Sequence, residues 1–214
     1  MGGSLLESPD WQQNFLRWLH QNKAGQTVLV VGGGAEVEQL RAEQSQRGLT
    51  DEAAHWVAIG CMRRNARRVA EALFGDAGPG LVRGRLEEIH FALRSLPLVV
   101  VDPLKLLRHD ERLCEGTRLP QSWDVTSDSI AARIAQLIGC ETLVLLKSQL
   151  PPIDSDYATA AAAGYVDRFF PQAAAHLMSV TCVNLRTAAL ESAVLAADAK
   201  KHAHGERGHG TREG

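Results

Sequence analysis

Thr27-Val28-Leu29-Val30-Val31-Gly32-Gly33-Gly34 is the stretch on which the fold turns, a β-branched run that stops at three glycines. Branching at Cβ favours extended backbone and a pleated, half-buried surface. Glu36 to Arg47, directly downstream, has the apolar spacing of a helix, so the unit reads as strand, glycine loop, helix. Without a Cβ, such a loop lets backbone N–H groups approach a phosphate closely, but it equally serves the geometry of a tight turn. Both readings of the loop stay open on these residues alone.

Working outward, the alternation continues. Gly2-Gly3-Ser4 precedes a helix over 10–22, with Trp11, Phe15, Trp18 and Leu19 on one apolar face. A long helix is predicted over 51–72, carrying His55-Trp56 early and Arg63, Arg64, Arg67 and Arg68 later on one side, which reads as a solvated face or a subunit contact ahead of a phosphate-binding role. Residues 74–80 are loop by composition, 86–95 a short helix, and 98–101 a buried strand closed by Asp102-Pro103. Gln121 to Ala135 is a polar turn running into an amphipathic helix, and Thr126, Ser127 and Asp128 there are the short oxygen-bearing residues that cap free N–H groups. A strand over 141–146 ends in Lys147-Ser148, and a last strand is expected over 179–183. Helices are expected over 156–163, 171–177 and 187–197. Strands alternating with helices predict an α/β fold, a three-layer α/β/α sandwich with a mainly parallel central sheet over residues 1–197. Residues 198–214 are rich in Lys, His, Gly and Arg without apolar periodicity, the composition of a disordered tail in which His202, His204 and His209 form no dedicated metal site.

Composition narrows the class. A chain of 214 residues, 45% hydrophobic and 22% charged, buries the core of one ordinary domain. Its formal net charge of −2 calls for neither nucleic acid nor an anionic membrane as partner. The four cysteines, Cys61, Cys114, Cys140 and Cys182, stand far apart with no C-x-x-C, which suggests reduced thiols rather than a zinc or redox site. With no basic start, apolar run or membrane-length segment, a cytoplasmic location is expected.

The glycines at 2–3 and 32–34, the helix start at Asp128 and the strand-end Lys147 can meet at one edge of such a sheet, the ligand side of an open parallel sheet. Their common target is phosphate, because phosphoryl transfer asks mainly for positioning and for N–H or cationic groups that neutralise charge. Gly32-Gly33-Gly34 is not followed by Lys-Ser/Thr and no G-x-G-x-x-G occurs, which argues against P-loop and classical dinucleotide sites.

In order and spacing these motifs resemble the amino acid kinase family, which includes acetylglutamate, aspartate and uridylate kinases. Gly2-Gly3-Ser4 looks like its first glycine loop, Val31-Gly32-Gly33-Gly34 like its second, Thr126-Ser127-Asp128-Ser129 like its Asp-bearing helix start, and Leu146-Lys147-Ser148 is similar to the nucleotide-side strand end of the uridylate kinase branch. Ala54-His55-Trp56-Val57-Ala58-Ile59, Ser122-Trp123-Asp124 through Ala132, and Gly164-Tyr165-Val166-Asp167 resemble the branch of 5-(aminomethyl)-3-furanmethanol phosphate kinase, of methanofuran-type cofactor synthesis in one-carbon metabolism. The resemblance implies ATP-dependent transfer, with Mg2+, to a phosphorylated small molecule that becomes a diphosphate. It implies Asp128 as the organising carboxylate, Gly2, Gly3, Ser4, Gly32, Gly33 and Gly34 as phosphate-binding, Lys147 and Ser148 as nucleotide-binding, and His55, Trp56, Asp124 and Thr126 on the acceptor side. A homo-oligomer is implied as well. On the residues themselves, Trp56 and Trp123 read equally as core, His55 as a satisfied helix histidine and Asp124 as a turn former.

One departure stands out. The family carries a lysine two residues before its first Gly-Gly, at the end of a first strand, and here only Met1 precedes Gly2. The resemblance therefore implies a sheet lacking that strand, through a start site assigned too late or in a non-catalytic relative. The intact Gly2-Gly3-Ser4 and Asp128 favour the former, and the reading frame upstream of Met1 decides between them.

Overall fold

A computed structural model of the chain describes residues 1–22 and 25–197; the tail expected over 198–214 lies outside the described residues. Strand β1, Thr27–Leu29, pairs in parallel with β2, Leu98–Val100, in the register Thr27↔Leu98 to Leu29↔Val100. Strand β3, Thr142–Lys147, pairs in parallel with β4, Ser179–Asn184, and β5, Ser192–Leu195, runs antiparallel to β4.

Alternation along the strands sorts the helices into two layers. Leu29, Val31, Leu98 and Val100 face one way, into a core shared with Phe15 and Trp18 of helix α1, Trp11–Gln21, and with Ala66 and Val69 of helix α3, Asp51–Phe74. Leu146 and Val183 join the same core, so one helix layer spans both sheets. Val30, Val99 and Val101 face the other way, against Ile89 of α4, Leu86–Leu93, Leu106 of α5, Pro103–His109, and Ile130 and Ile134 of α6, Ser127–Leu137. Beyond them Leu145, Val180, Cys182 and Leu195 pack on Tyr157 and Ala160 of α7, Tyr157–Ala162, and on Phe170 of α8, Phe170–Ala173. The α/β sandwich is as the sequence predicts.

Three local expectations are corrected. Residues 187–197, helical in pattern, contain β5 instead: register with β4 places Leu195 opposite Val180, where its side chain is buried, and that burial overrides local propensity. Helix α5 was not expected after Asp102-Pro103; Pro103 takes the first helical turn, where a missing N–H costs nothing, and the Asp102 carboxylate accepts from Lys105 N at 3.1 Å. The 74–80 loop is a 3-10 helix, Gly75–Leu81.

The two sheets meet at Met1–Gly2. Met1 N donates to Val30 O at 2.8 Å, Gly32 N donates to Met1 O at 2.9 Å, and Gly2 N donates to Leu146 O at 2.8 Å. Toward the other ends of β1 and β3 the facing strand edges enclose a slot of about 180 Å³, walled by Thr27 to Val30, by Thr142 to Leu146 and by Ala131, Ile134 and Ala135 of α6.

Candidate functional site

The glycine loops touch through their backbones. A Cβ on Gly3 would lie 2.1 Å from Gly34 N, and one on Gly32 would lie 2.6 Å from Gly3 N, so neither position admits a side chain without displacement. Gly34 has φ 65°, which favours glycine, and it opens α2, Ala35–Glu43. Asn65, on α3, locks the second loop by donating Nδ2 to the carbonyls of Gly32 and Gly33, each at 2.9 Å.

Helix α6 begins beside them. Thr126 is its N-cap by backbone conformation, yet its side chain makes no cap hydrogen bond. The cap comes from Asp167: its carboxylate accepts from Thr126 N and Thr126 Oγ1, both at 2.9 Å, from Ser129 N at 3.0 Å and from Ser129 Oγ. This corrects the expectation that Thr126, Ser127 and Asp128 cap the helix themselves. Burial first, and then the neighbouring Asp128, push the Asp167 carboxyl above the usual carboxylate range.

Asp128, in the first turn of α6, is 8% exposed and accepts from Lys147 Nζ at 2.8 Å. Lys147 is the last residue of β3; its ammonium also donates to Tyr165 O and stands 4.6 Å from the Tyr165 ring centroid. The ammonium spends two of its three donors on the carboxylate and a carbonyl, beside an aromatic face, and Lys147 lines the cavity described next, where the third donor is available.

These parts surround a cavity of about 1050 Å³, lined among others by Gly2, Gly3, Ser4, Gly33, Gly34, His55, Trp123, Asp124, Thr126, Asp128, Lys147 and Ser148. Most of the residues singled out in the sequence thus share one space. Gly32 lies beneath the lining, its position buried under Gly3 and Ser127. Trp56 is elsewhere: its Nε1 donates to Gln121 Oε1 at 3.0 Å and Arg108 stacks 5.1 Å from its ring centroid, outside the cavity wall. His55 is buried edge-on to Trp56, and desolvation pushes its imidazole below the usual histidine value, against a smaller opposing pull from the Ser122 backbone. Asp124 faces Arg168 at 3.7 Å. Of the arginines on α3, Arg64 and Arg68 pair with Glu36, and Arg63 pairs with Asp102.

The cavity has the size and donors for a nucleotide's phosphates: close-set glycine backbone, a helix N-terminus and an ammonium. For magnesium the protein offers less. Asp128 is held by Lys147 and Asp167 by α6, and among the described residues no group of three or more His, Cys, Asp and Glu could hold a metal. The ion would arrive on the phosphates of the nucleotide, a common mode for Mg2+. Among the described residues no helix is long and apolar enough to cross a membrane.

A model of the amino acid kinase family matches residues 1–149. No curated protein matches the sequence. Among solved structures, the uridylate kinase from Archaeoglobus fulgidus superposes with a TM-score of 0.49 at 19% identity, over 71% of this chain and 62% of that chain. The chain thus spans 62% of that relative's length.

Proposed function

Since the chain belongs to the amino acid kinase family, we propose that it is an ATP-dependent small-molecule kinase whose acceptor is a phosphate monoester, 5-(aminomethyl)-3-furanmethanol phosphate, and that it works as a homo-oligomer. The observation that carries this reading is the Lys147–Asp128 pair set into a cavity that two touching glycine loops also line. The stretches Ser122-Trp123-Asp124 and Gly164 to Asp167 support the furan branch by resemblance, with Trp123, Asp124, Tyr165 and Asp167 all on the cavity wall.

The chemistry asks little covalent work of the protein. A phosphate monoester is already largely dianionic near pH 7, its second pKa being about 6, so no general base is required. An acceptor oxygen attacks the γ-phosphorus, a new P–O bond forms as the bridging O–P bond breaks, and the nucleoside diphosphate leaves. Lys147 and the glycine-loop amides stabilise the equatorial oxygens, and Asp128 holds the lysine's ammonium in place.

Coupled detection of ADP and of the diphosphate product, with MgATP and the furan phosphate set against acetylglutamate, aspartate and UMP, tests the assignment. Turnover of the furan phosphate is expected, with Lys147→Met lowering kcat about 10²-fold or more, the usual loss for one preorganised donor to a developing oxyanion. Turnover of only one of the other acceptors would defeat the substrate assignment. The engagement of Lys147 by Asp128 and Tyr165 O favours a second reading as an anion-binding relative without turnover. Nucleotide binding with no transfer to any acceptor would select it.

A further inference from the structure

We propose that Asp167 is a positioning residue for phosphoryl transfer, setting the Asp128–Lys147 pair from the loop that follows α7. This deepens the kinase reading and rests on it.

The loop has hold of both partners. Through its carboxylate, Asp167 fixes the backbone of Thr126 and Ser129 on either side of Asp128, so the direction in which Asp128 leaves α6 depends on it. Two residues earlier, Tyr165 O accepts from Lys147 Nζ and the Tyr165 ring lies beneath the same ammonium. The loop is itself anchored, with Tyr165 N donating to Ala160 O of α7 at 2.9 Å, Tyr165 Oη donating to Gln149 O at 3.2 Å and Phe169 N donating to Asp124 O at 3.1 Å. One short connection thus joins the start of α6 to the end of β3, two elements that contribute opposite charges to the site.

The placement also divides the donors of the helix N-terminus. A helix leaves its first four N–H groups unpaired, and Asp167 takes those of Thr126 and Ser129. The Ser127 and Asp128 amides, whose residues line the cavity, have no protein acceptor among the described residues. Asp167 satisfies the flanks of the turn and leaves its middle to a phosphate oxygen. An ordinary N-cap at Thr126 would instead direct its own side chain to the N2 or N3 amide and compete for that middle.

Asp167→Asn separates positioning from simple stability. One amide oxygen can keep the Thr126 and Ser129 N–H donors, so the variant is expected to fold, but the new NH2 replaces the oxygen that accepts from Phe169 N at 3.2 Å, and donor facing donor there displaces the carboxamide and with it the start of α6. Two readouts are taken on the full chain. Steady-state kinetics should show kcat falling about tenfold to a hundredfold, the scale of a misplacement near an ångström, with KM for ATP changed less than about threefold. The 15N ammonium resonance of Lys147, assigned by its loss in Lys147→Arg, should shift or broaden in Asp167→Asn. A folded Asp167→Asn chain with an unmoved Lys147 resonance and unchanged kcat would overturn the inference. A displaced resonance in a protein that phosphorylates none of the acceptors would retain the positioning role and reject the kinase reading. Should Asp167→Asn fail to fold, Ser129→Ala removes a single hydroxyl donor to the same carboxylate, and the same pair of readouts then decides.

Discussion

His55 sits where α3 meets the cavity, 4% exposed, and burial holds its imidazole below the usual histidine value of about 6.5. The folded state then binds fewer protons than the unfolded chain between the lowered value and 6.5, so stability falls as the pH drops through that window. His176, also lowered by burial, adds a slope of the same sign. Urea midpoints compared at pH 5 and pH 7.5 should show the loss, and His55→Gln should flatten part of it and leave the His176 part; an unaltered slope would mean that His55 is not held neutral. Residues with a local signature, such as Asp128 at a helix start and Lys147 at a strand end, could be read from sequence because the chemistry and its scaffold are adjacent. Asp167 and Asn65 could not, since they act on partners 38 to 41 and 32 to 33 residues away. The one signal available for Asp167 was its place in Gly164-Tyr165-Val166-Asp167, which spoke to resemblance and carried no geometry.

Elements behave differently, because a glycine loop is legible as a loop while its contact with another loop is not. Gly32 to Gly34 is compatible in sequence with an ordinary tight turn, and what distinguishes it and Gly2-Gly3 is mutual approach: the Cβ of an alanine at position 3 would come within 2.1 Å of Gly34 N and 2.6 Å of Gly34 Cα. Backbone cannot yield as a flexible side chain can, so Gly3→Ala must separate the loops. A loss of about 1–3 kcal/mol is expected, the usual scale for overpacking, together with weakened ATP binding in calorimetry. Gly25→Ala, with nothing within 4 Å of the added carbon, is the matched control and should bind ATP as the parent does. If Gly3→Ala kept both its stability and its nucleotide affinity, the loops would not be in the contact described. The same limit explains β5: alternation and pairing partners decide a strand, and 187–197 carries helix-forming residues whose burial against β4 is visible only in three dimensions.

On the scale of the whole molecule, the layers were readable from the alternation of patterns, whereas the continuity of the sheet was not. β1–β2 and β3–β4–β5 are separate ladders, joined where Met1 and Gly2 pair with Val30, Gly32 and Leu146. Those three hydrogen bonds have the pattern of the end of a strand lying between β1 and β3, the two at Met1 being those of a parallel pairing with the end of β1. The slot behind it is walled by aliphatic side chains of Val28, Leu143, Val144 and Ile134, so it suits an extended β-branched segment and disfavours a polar one. Appending about five such residues ahead of Met1, at about 3.3 Å per residue, would pair both edges and merge the ladders into one sheet. Since each 1 kcal/mol moves Tm by roughly 2–4 °C in a domain of this size, a rise of at least that amount is expected in scanning calorimetry. Placing lysine immediately before Met1 would bring a second cation to the mouth of the slot, where Asp128 lies. The lysine-ended extension should therefore raise both Tm and kcat, and the same extension ending in methionine should raise Tm alone. Equal kcat values for the two would show that the added charge does not reach the transferring phosphoryl group, and an unchanged Tm for both would show that the slot does not accept a strand.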